Sequence, residues 1–439
     1  MEQKRKLVLM GNDAVGEAAL RCGCTFFAGY PISPQTQILD YLAREMPKRG
    51  CTFLQADSEL GAINMVIGAS IAGARALTVS SSTGLALMYE AFAAAADGEF
   101  PMVIMDVTRE GAAQTGIKAS QSDYNMLTKS FGDGGLRVPV LTPSTVQELA
   151  ELVGLAFDMA DRYRTPVVIM TEPTTAQTIE AVDFDRVMPD KHYDKTPYTP
   201  SGRDTRPIPG SLYVQDSPHH FGTELGPETM NIYNMRHFQA LADKHEKIGR
   251  KEMICEEYMM DDAEYVIAAF GAPARYGIDA VRELRAEGWK VGMIRPVMIS
   301  PFPEKVFAGL DPERIKGILA VEMCIPKAFY HDVREFVPDA IPVWSCATAV
   351  YSRPKYLRPM LTYYCAGCQH GIVSKLLTEL AEEMDIAGNL AVCYGIGCYV
   401  AGLMNVDLDM FPALHGRGCA VATGFKRCRP EQLVITYQG

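Results

Sequence analysis

The chain has 439 residues, 48% of them hydrophobic and 22% charged, which suits a globular protein of roughly two to four domains and excludes a mainly disordered one. Its 42 basic and 53 acidic residues argue against nucleic acid as the main partner, because phosphate binders are usually basic. No secretory signal is recognisable at the N-terminus. The longest uncharged run, 386–406, contains four glycines and two asparagines, so we predict a cytoplasmic chain without a membrane span.

The first 190 residues alternate between apolar runs and helical patterns. Runs typical of strands cover 24–28, 76–80, 102–107 and 166–170. The helical patterns between them cover 13–22, 36–44, 59–72, 85–96 and 146–162. This alternation predicts an α/β fold with a doubly wound parallel sheet, in which the ligand site lies beyond the C-terminal ends of the strands.

The rest of the chain divides into three segments. Residues 191–258 lack periodicity, which favours a linker or arm. Residues 259–354 return to strands and helices and predict a second, smaller α/β domain. Residues 355–439 begin a third domain that ends on the strand LVITYQG with no helix after it, so we expect a longer reading frame or a partner to complete this domain.

Half of the twelve cysteines fall within the last 75 residues. Cys365 and Cys368 form a C-x2-C pair before a helix, and Cys398 follows 30 residues later. Three thiolates at this spacing fit either a tetrahedral zinc ion or an iron–sulfur cluster. Both need a fourth ligand, and neither Cys419 nor Cys428 is obviously placed to provide it.

Three polar residues follow the predicted strands of the first domain. Ser33 precedes Pro34 and is predicted to cap the next helix. Glu59, near the start of a helix, is either a surface partner of the helix dipole or a buried general acid–base. Arg109 follows a strand and has the shape to hold a planar carboxylate, although a structural ion pair is the alternative.

Four segments of the first domain together resemble one enzyme family. GYPISPQTQI, QADSELGAINMVIGASIAGAR, SSSTGLALMYEA and TREGAAQTGIKASQSDY look like the α subunit of the 2-oxoacid:ferredoxin oxidoreductases. CAGCQHGI, GIGC, HGRGCAVATGFKR and LVITYQG resemble, in order, the start of the β subunit of the same enzymes. The resemblance covers 5–185 and 260–439 and is closest to the branched-chain members, which act on 3-methyl-2-oxobutanoate.

The resemblance implies transketolase-like domains that bind thiamine diphosphate: a pyrimidine-binding domain at 1–190 and a truncated diphosphate-binding domain at 355–439. Glu59 matches the acid that hydrogen-bonds the aminopyrimidine ring, and Arg109 matches the residue that holds the substrate carboxylate. Ser33 stands where many members have Thr and is expected to contact the substrate. The residues implied in cofactor binding are Tyr30, Pro31, Glu59, Gly397, His415, Gly416 and Arg417.

The resemblance also implies electron transfer to a [4Fe-4S] cluster held by Cys365, Cys368 and Cys398. The fourth cluster ligand and the motif that holds Mg2+ on the diphosphate are expected beyond Gly439. The implied partners are the 2-oxoacid, CoA, ferredoxin or a ferredoxin-like δ subunit, a γ subunit and the remainder of the β subunit, in a homo- or hetero-oligomer typical of anaerobic metabolism.

Three other interpretations stay open at this point. One is a related enzyme for pyruvate or 2-oxoglutarate; Lys118 is the one extra basic residue near Arg109 that could hold a second carboxylate. Another is a truncated subunit that binds partners without turnover. The third is a structural zinc protein, which rests on the C-x2-C pair alone.

Overall fold

The computed structural model describes residues 6–110, 117–188, 191, 193–199, 227–347, 356, 369–394, 406–413 and 417–437. Side chains of two helices are described only from residues 235 and 373 onward. The chain forms two compact units, Met1–Ala349 and Val350–Gly439. The domain boundaries predicted at 190, 258 and 354 stay predictions.

The first unit contains two parallel-rich sheets and the helices that cover them. Its described strands are β1 (Leu7–Met10), β2 (Phe26–Gly29), β3 (Thr52–Gln55), β4 (Ala76–Ser80), β5 (Met102–Val107), β6 (Val140–Leu141), β7 (Pro166–Thr171), β8 (Ile179–Val182), β9 (Cys255–Tyr258), β10 (Tyr265–Ala269), β11 (Val291–Pro296), β12 (Met298–Ser300), β13 (Gly317–Glu322) and β14 (Val343–Ala347). Its described helices are α1 (Gly11–Arg21), α2 (Thr36–Glu45), α3 (Glu59–Ile71), α4 (Thr83–Leu87), α5 (Tyr89–Asp97), α6 (Tyr124–Thr128), α7 (Val146–Tyr163), α8 (Pro173–Ala176), α9 (Pro227–Glu252), α10 (Gly271–Ala286), α11 (Glu304–Ala308) and α12 (Ala328–Phe336).

The larger sheet has seven strands in the order β12-β6-β7-β5-β4-β2-β3, all parallel except β12. Its central strands β4, β5 and β7 are buried along their whole length. Helices on both faces of a parallel sheet require such continuous apolar runs, which explains why these strands were recognisable in the sequence. The predicted α/β class with a doubly wound parallel sheet is confirmed.

The smaller sheet of this unit has the order β14-β13-β10-β11-β9, with β9 antiparallel to its neighbour. Only Val297 separates β11 of this sheet from β12, which pairs with β6 at the edge of the larger sheet. The backbone N–H of Thr142 donates to the Val297 carbonyl at 2.7 Å. One short stretch of chain therefore belongs to both sheets.

The segment expected to be a linker or arm without periodicity contains a long helix, α9. From residue 235 onward this helix buries only Ile248. It is held by polar contacts instead: the Lys244 ammonium lies 2.6 Å from a Glu99 carboxylate oxygen and donates to the Arg164 carbonyl at 3.0 Å. Met235, Phe238, Leu241 and Ile248 of this helix recur at spacings of three and seven residues, an apolar pattern of helical period that the interpretation as an arm overlooked.

A second difference concerns 85–96, which we predicted as one helix. The structure has two helices there, α4 and α5, separated by Met88, whose backbone N–H bonds to the Leu85 carbonyl, three residues back. Met88 is fully buried, so its apolar character continued the helical pattern across the break.

The second unit contains a small parallel sheet in the order β16-β15-β17. Leu390 and Val392 pack with Ala381 to form its core. No helix in the described part of the chain is long and apolar enough to cross a membrane. The described elements of this unit are α13 (Gln369–Glu383), β15 (Leu390–Tyr394), β16 (Asp409–Pro412), α14 (Gly418–Cys428) and β17 (Leu433–Tyr437).

Candidate active site

The neighbouring strands β2, β4 and β5 end at the same edge of the larger sheet, since they run parallel. The loops that leave this edge carry the residues singled out from the sequence. Helix α3 also begins there, directly after β3. The candidate site is thus assembled from four segments of the first unit.

Glu59 is the first residue of α3 and only 6% of its surface is exposed. The hydroxyl of Ser58 caps this helix by accepting from the Gly61 N–H at 3.1 Å. Gly84 packs so closely against the acid that a Cβ on it would lie 2.8 Å from Glu59 Oε1 and 2.1 Å from Ser80 Oγ, so a larger residue does not fit. Of the two alternatives for Glu59, the structure has the buried carboxylate.

The prediction that Ser33 caps a helix is wrong. Helix α2 begins at Thr36, and its N-cap position is Gln35, whose side chain makes no capping bond. The chain turns before the helix instead, held by Gln35 Nε2 donating to the Tyr30 carbonyl at 3.0 Å and by Asn12 Nδ2 donating to the Pro34 carbonyl at 3.0 Å. Asn12 belongs to α1, far from this turn in the sequence, so local rules for capping could not anticipate its bond.

Arg109 lies just after β5, and it is buried. Its Nη1 donates to the Ser33 carbonyl at 2.9 Å and its Nη2 donates to Thr83 Oγ1 at 3.0 Å. Its Nε is buried and has no hydrogen-bond partner among the described residues. Arg109 also forms no ion pair within that part of the chain, so the alternative of a structural ion pair finds no support there.

Three buried acids, Asp106, Asp123 and Glu172, were not recognised as candidates from the sequence. Burial and the charge of Asp123 raise the pKa of Asp106 well above its usual range, and burial raises the pKa of Asp123 as well. Burial raises the pKa of Glu172 to about 7. The visible signal was Asp106 itself, a carboxylate inside the apolar strand PMVIMDV.

The smaller sheet fixes the loop that follows Arg109. Met323, after β13, accepts from the Gln121 backbone N–H at 2.8 Å and from Ser120 Oγ at 2.9 Å. The Met323 N–H in turn donates to Gln121 Oε1 at 2.9 Å. Glu172 accepts from the Ala272 N–H at 3.2 Å and also from Gln121 Nε2. The position of Ser120 and Gln121 therefore depends on the seven-stranded sheet and on the five-stranded sheet.

The remaining candidates are distributed differently. Tyr30 and Ser33 are exposed beside this edge, and Pro31 between them is half-buried. Lys118 is exposed too, and its carbonyl accepts from the Glu110 N–H at 2.9 Å. In the second unit Arg417 is exposed at the N-cap position of α14.

The predicted cluster ligands Cys365, Cys368 and Cys398 lie outside the described residues, as do Gly397, His415 and Gly416. Within the described ranges no group of three or more His, Cys, Asp or Glu side chains could hold a metal ion.

Comparison with known proteins matches two family models. Residues 17–257 match the thiamine-diphosphate-binding domain of the pyruvate flavodoxin/ferredoxin oxidoreductases, and 263–351 match core domain II of pyruvate:ferredoxin oxidoreductase. The family resemblance stated from the motifs is confirmed.

Similar proteins carry several substrate names. The ketoisovalerate oxidoreductase subunit VorB of Methanothermobacter thermautotrophicus is 38% identical over 297 residues, covering 67% of this chain and 80% of its own length. The 2-oxoglutarate synthase subunit KorA of Methanocaldococcus jannaschii is 33% identical over 338 residues, covering 73% of this chain and 89% of its own length. The solved 2-oxoglutarate:ferredoxin oxidoreductase of Magnetococcus marinus has a TM-score of 0.69 at 23% identity, and the match covers 80% of this chain and 64% of that one. At that identity the structural likeness speaks for the fold alone.

Proposed function

Because the chain belongs to the pyruvate flavodoxin/ferredoxin oxidoreductase family, we propose that it is a subunit of an enzyme that oxidatively decarboxylates a branched-chain 2-oxoacid. With CoA and oxidised ferredoxin as co-substrates, the products are acyl-CoA, carbon dioxide and reduced ferredoxin. The proposed substrate, 3-methyl-2-oxobutanoate, is supported by the higher identity to the ketoisovalerate relative than to the 2-oxoglutarate relative.

The observation that carries this proposal is that a buried carboxylate, Glu59, and a buried guanidinium, Arg109, both lie at one edge of the larger sheet. Glu59 and Ser80 both lie against Gly84, and the buried Ser80 hydroxyl has no partner among the described residues. Unsatisfied polar groups of this kind fit a polar heterocycle, because each gains a hydrogen bond when the ring binds. When bound, thiamine diphosphate supplies the carbon nucleophile and the electron sink that decarboxylation requires.

Glu59 is assigned the role of acceptor for a ring N–H of the aminopyrimidine. As the first residue of α3 it is held in place by the helix, and its burial strengthens the hydrogen bond that the carboxylate accepts. The chain thereby holds a proton on the ring at a fixed place. Tyr30 and Pro31 belong to the same loop as Ser33 and are proposed to contact the cofactor.

Arg109 is assigned to the carboxylate of the 2-oxoacid. Contacts with the Ser33 carbonyl and Thr83 Oγ1 fix the plane of its guanidinium, and the unpartnered Nε supplies a donor for the incoming anion. A donor group already held in position loses less side-chain entropy on binding. The Ser33 hydroxyl, exposed in the loop beside it, is proposed to contact the oxo group or its product.

The metal sites and partners belong to the same proposal. Cys365, Cys368 and Cys398 are assigned to a [4Fe-4S] cluster, and Mg2+ to the diphosphate, with Gly397, His415, Gly416 and Arg417 as diphosphate contacts. Ferredoxin or a ferredoxin-like δ subunit, a γ subunit and further β-subunit sequence complete the proposed enzyme. The similarity to named subunits of other enzymes supports such an assembly.

The test is an anaerobic assay of the assembled enzyme with CoA and ferredoxin, which compares 3-methyl-2-oxobutanoate, pyruvate and 2-oxoglutarate. We expect the highest kcat/KM for 3-methyl-2-oxobutanoate. Glu59→Gln should lower kcat about 100-fold or more, because proton handling at the ring is lost. The control is Glu90→Gln, which changes an exposed acid on α5 and should leave kcat unchanged.

Arg109→Met should raise KM for the 2-oxoacid about tenfold or more, since a charge-assisted bond to its carboxylate disappears. Lys118→Glu distinguishes the substrates: it should raise KM for 2-oxoglutarate strongly only if Lys118 binds a second carboxylate. A Glu59→Gln enzyme with full activity, or an enzyme that oxidises none of the three acids, would overturn the proposed function.

A further inference from the structure

Asp106 is an acid in an unusual position. It lies in the middle of the larger sheet, beside Ser80 of β4 and Met170 of β7, and none of its surface is exposed. Neither carboxyl oxygen has a hydrogen-bond donor in standard geometry among the described residues. An ionised carboxylate without donors is among the most costly groups to bury, so its charge must be removed or compensated.

The partner of Asp106 is a second acid. The Asp123 side chain, at the start of α6, lies within hydrogen-bonding reach of Asp106. Asp123 has a donor of its own, because Ser82 Oγ donates to its Oδ2. This donor and the nearby charge of Arg109 favour the ionised form of Asp123. The surroundings therefore favour a protonated Asp106 and an ionised Asp123, and a single proton on Asp106 gives both states.

From these contacts we infer that Asp106 and Asp123 share one proton, which Asp106 donates to Asp123, and that this pair positions Arg109. The positioning half of the inference rests on the proposed function. A shared proton turns two like charges into one charge with a strong hydrogen bond, which is the stable arrangement for neighbouring buried carboxyls. The assignment of the donor follows from the Ser82 hydroxyl and the Arg109 charge, which act on Asp123, whereas Asp106 is reached by the Ser82 backbone N–H outside standard geometry.

Ser82 connects the pair to Arg109. The Arg109 backbone N–H donates to Ser82 Oγ at 3.1 Å, while the same hydroxyl gives its proton to Asp123. Ser82 has φ 31° and ψ −87°, a conformation that residues other than glycine rarely adopt, and these two bonds hold it there. Ser122 Oγ closes the arrangement by donating to the Arg109 carbonyl at 2.9 Å.

The other ionisable groups around the pair do not replace the shared proton. Glu172, after β7, adds a further negative charge that disfavours an ionised Asp106. Arg109 is the cation that acts on Asp123, and Cys324, after β13, is the other ionisable side chain near it. Within the described part of the chain no Lys or His is paired with either acid.

The first test measures the proton directly. Glu172 has a pKa of about 7 and gives a band of its own at pH 7, so infrared spectra of the full chain are compared in the Glu172→Gln background. Glu172→Gln should show the carbonyl stretch of a protonated buried carboxyl group, and the double variant Glu172→Gln with Asp106→Asn should lose it. The matched control is Asp158→Asn, which changes a buried acid that has three donors instead of an acid partner. It should leave the band intact.

The second test measures the positioning role. Asp106→Leu removes the donor and should raise KM for the 2-oxoacid about tenfold with a smaller change in kcat, because Arg109 binds the substrate carboxylate. Asp106→Asn keeps a donor, its amide N–H, and should restore KM to within about threefold of the wild-type value. A merely structural role would lower the melting temperature of both variants without this rescue of KM.

A Glu172→Gln spectrum without the band, or a band that survives when Asp106→Asn is added to Glu172→Gln, would overturn the shared proton. Equal KM values in Asp106→Leu and wild type would overturn the positioning role. Failure of the proposed function looks different: Glu172→Gln would show the band, but the wild type would not oxidise any 2-oxoacid.

Discussion

Two groups of buried carboxylates lie in the same domain, and they differ in whether cations and other donors surround them. Asp106, Asp123 and Glu172 lie at the C-terminal ends of the strands, where each has a raised pKa caused first by burial. Asp158 and Asp161 lie on α7, and they are just as buried. The difference is in the groups that surround them.

The acids of α7 are surrounded by cations and hydroxyl donors. The Arg75 Nε lies 2.7 Å from Asp161 Oδ2, and Lys195 Nζ lies 2.7 Å from Asp161 Oδ1. Asp158 accepts from Tyr193 Oη at 2.6 Å, and its bonds with Tyr193, Lys191 and Arg162 outweigh its burial, so its pKa is lowered. Buried acids that form ion pairs thus stabilise the fold, whereas buried acids without an ion pair are available for proton chemistry or positioning.

Removal of a cation from the α7 group should have the largest effect. Arg75→Met leaves Asp161 with one of its two cations and also removes a donor from the Lys191 carbonyl. We expect a loss of about 3 to 5 kcal/mol in the free energy of unfolding, measured by denaturant titration at pH 7. Arg282→Met, in an exposed pair with Asp279, is the control and should cost far less. Equal losses of unfolding free energy in the two variants would mean that burial does not make the Arg75 pair more important for stability than the Arg282 pair.

Glu172 should give the next largest effect, which depends on pH. Its pKa is about 7 in the folded protein and about 4.5 in an unfolded chain, so the folded state binds its proton more tightly. This contribution to stability is complete below about pH 4.5 and is lost as the pH rises through 7, amounting to about 3 kcal/mol at most.

The stability advantage of wild type over Glu172→Gln should therefore shrink between about pH 5 and pH 8 in denaturant titrations. Glu172→Gln removes the titrating group but occupies nearly the same space, so any constant packing difference cancels from this trend. A difference that does not change with pH would show that Glu172 is ionised throughout.

Asp158 should show the opposite dependence with a smaller amplitude. Asp158→Asn weakens bonds from Tyr193, Lys191 and Arg162 and should cost about 1 to 2 kcal/mol at pH 7. Because the folded-state pKa of Asp158 is lowered from 3.8, the difference from wild type should disappear as the pH falls below that value. A difference that grows on acidification would contradict the ion pairs seen here.

Much of the first domain could be predicted because its information is local. The strands at Ala76–Ser80 and Met102–Val107 have the predicted bounds, since continuous apolar runs define strands that are buried on both faces. The helical pattern predicted at 59–72 located α3, which begins at Glu59 as expected.

The parts that could not be predicted depend on distant residues. Asp106 meets Asp123 and Ser82 only because β4 and β5 end at one edge, and no local pattern encodes that meeting. The turn at Ser33 is held in part by Asn12 of α1 rather than by a cap. Helix α9 is attached by Lys244 to Glu99, a residue 145 positions earlier in the sequence.

The passage of the chain from β11 to β12 has a practical consequence for anyone who divides this protein. The family models meet between residues 257 and 263, which suggests a convenient place to cut. A fragment that stops there lacks Met298–Ser300, the strand that covers the outer side of β6. Its larger sheet would end in the bare two-residue edge Val140–Leu141, whose free N–H and carbonyl groups invite another chain to pair. Such a fragment should self-associate, and one that continues through Ala347 should not, since a stop at Ser300 would in turn leave β10 without its partner β13.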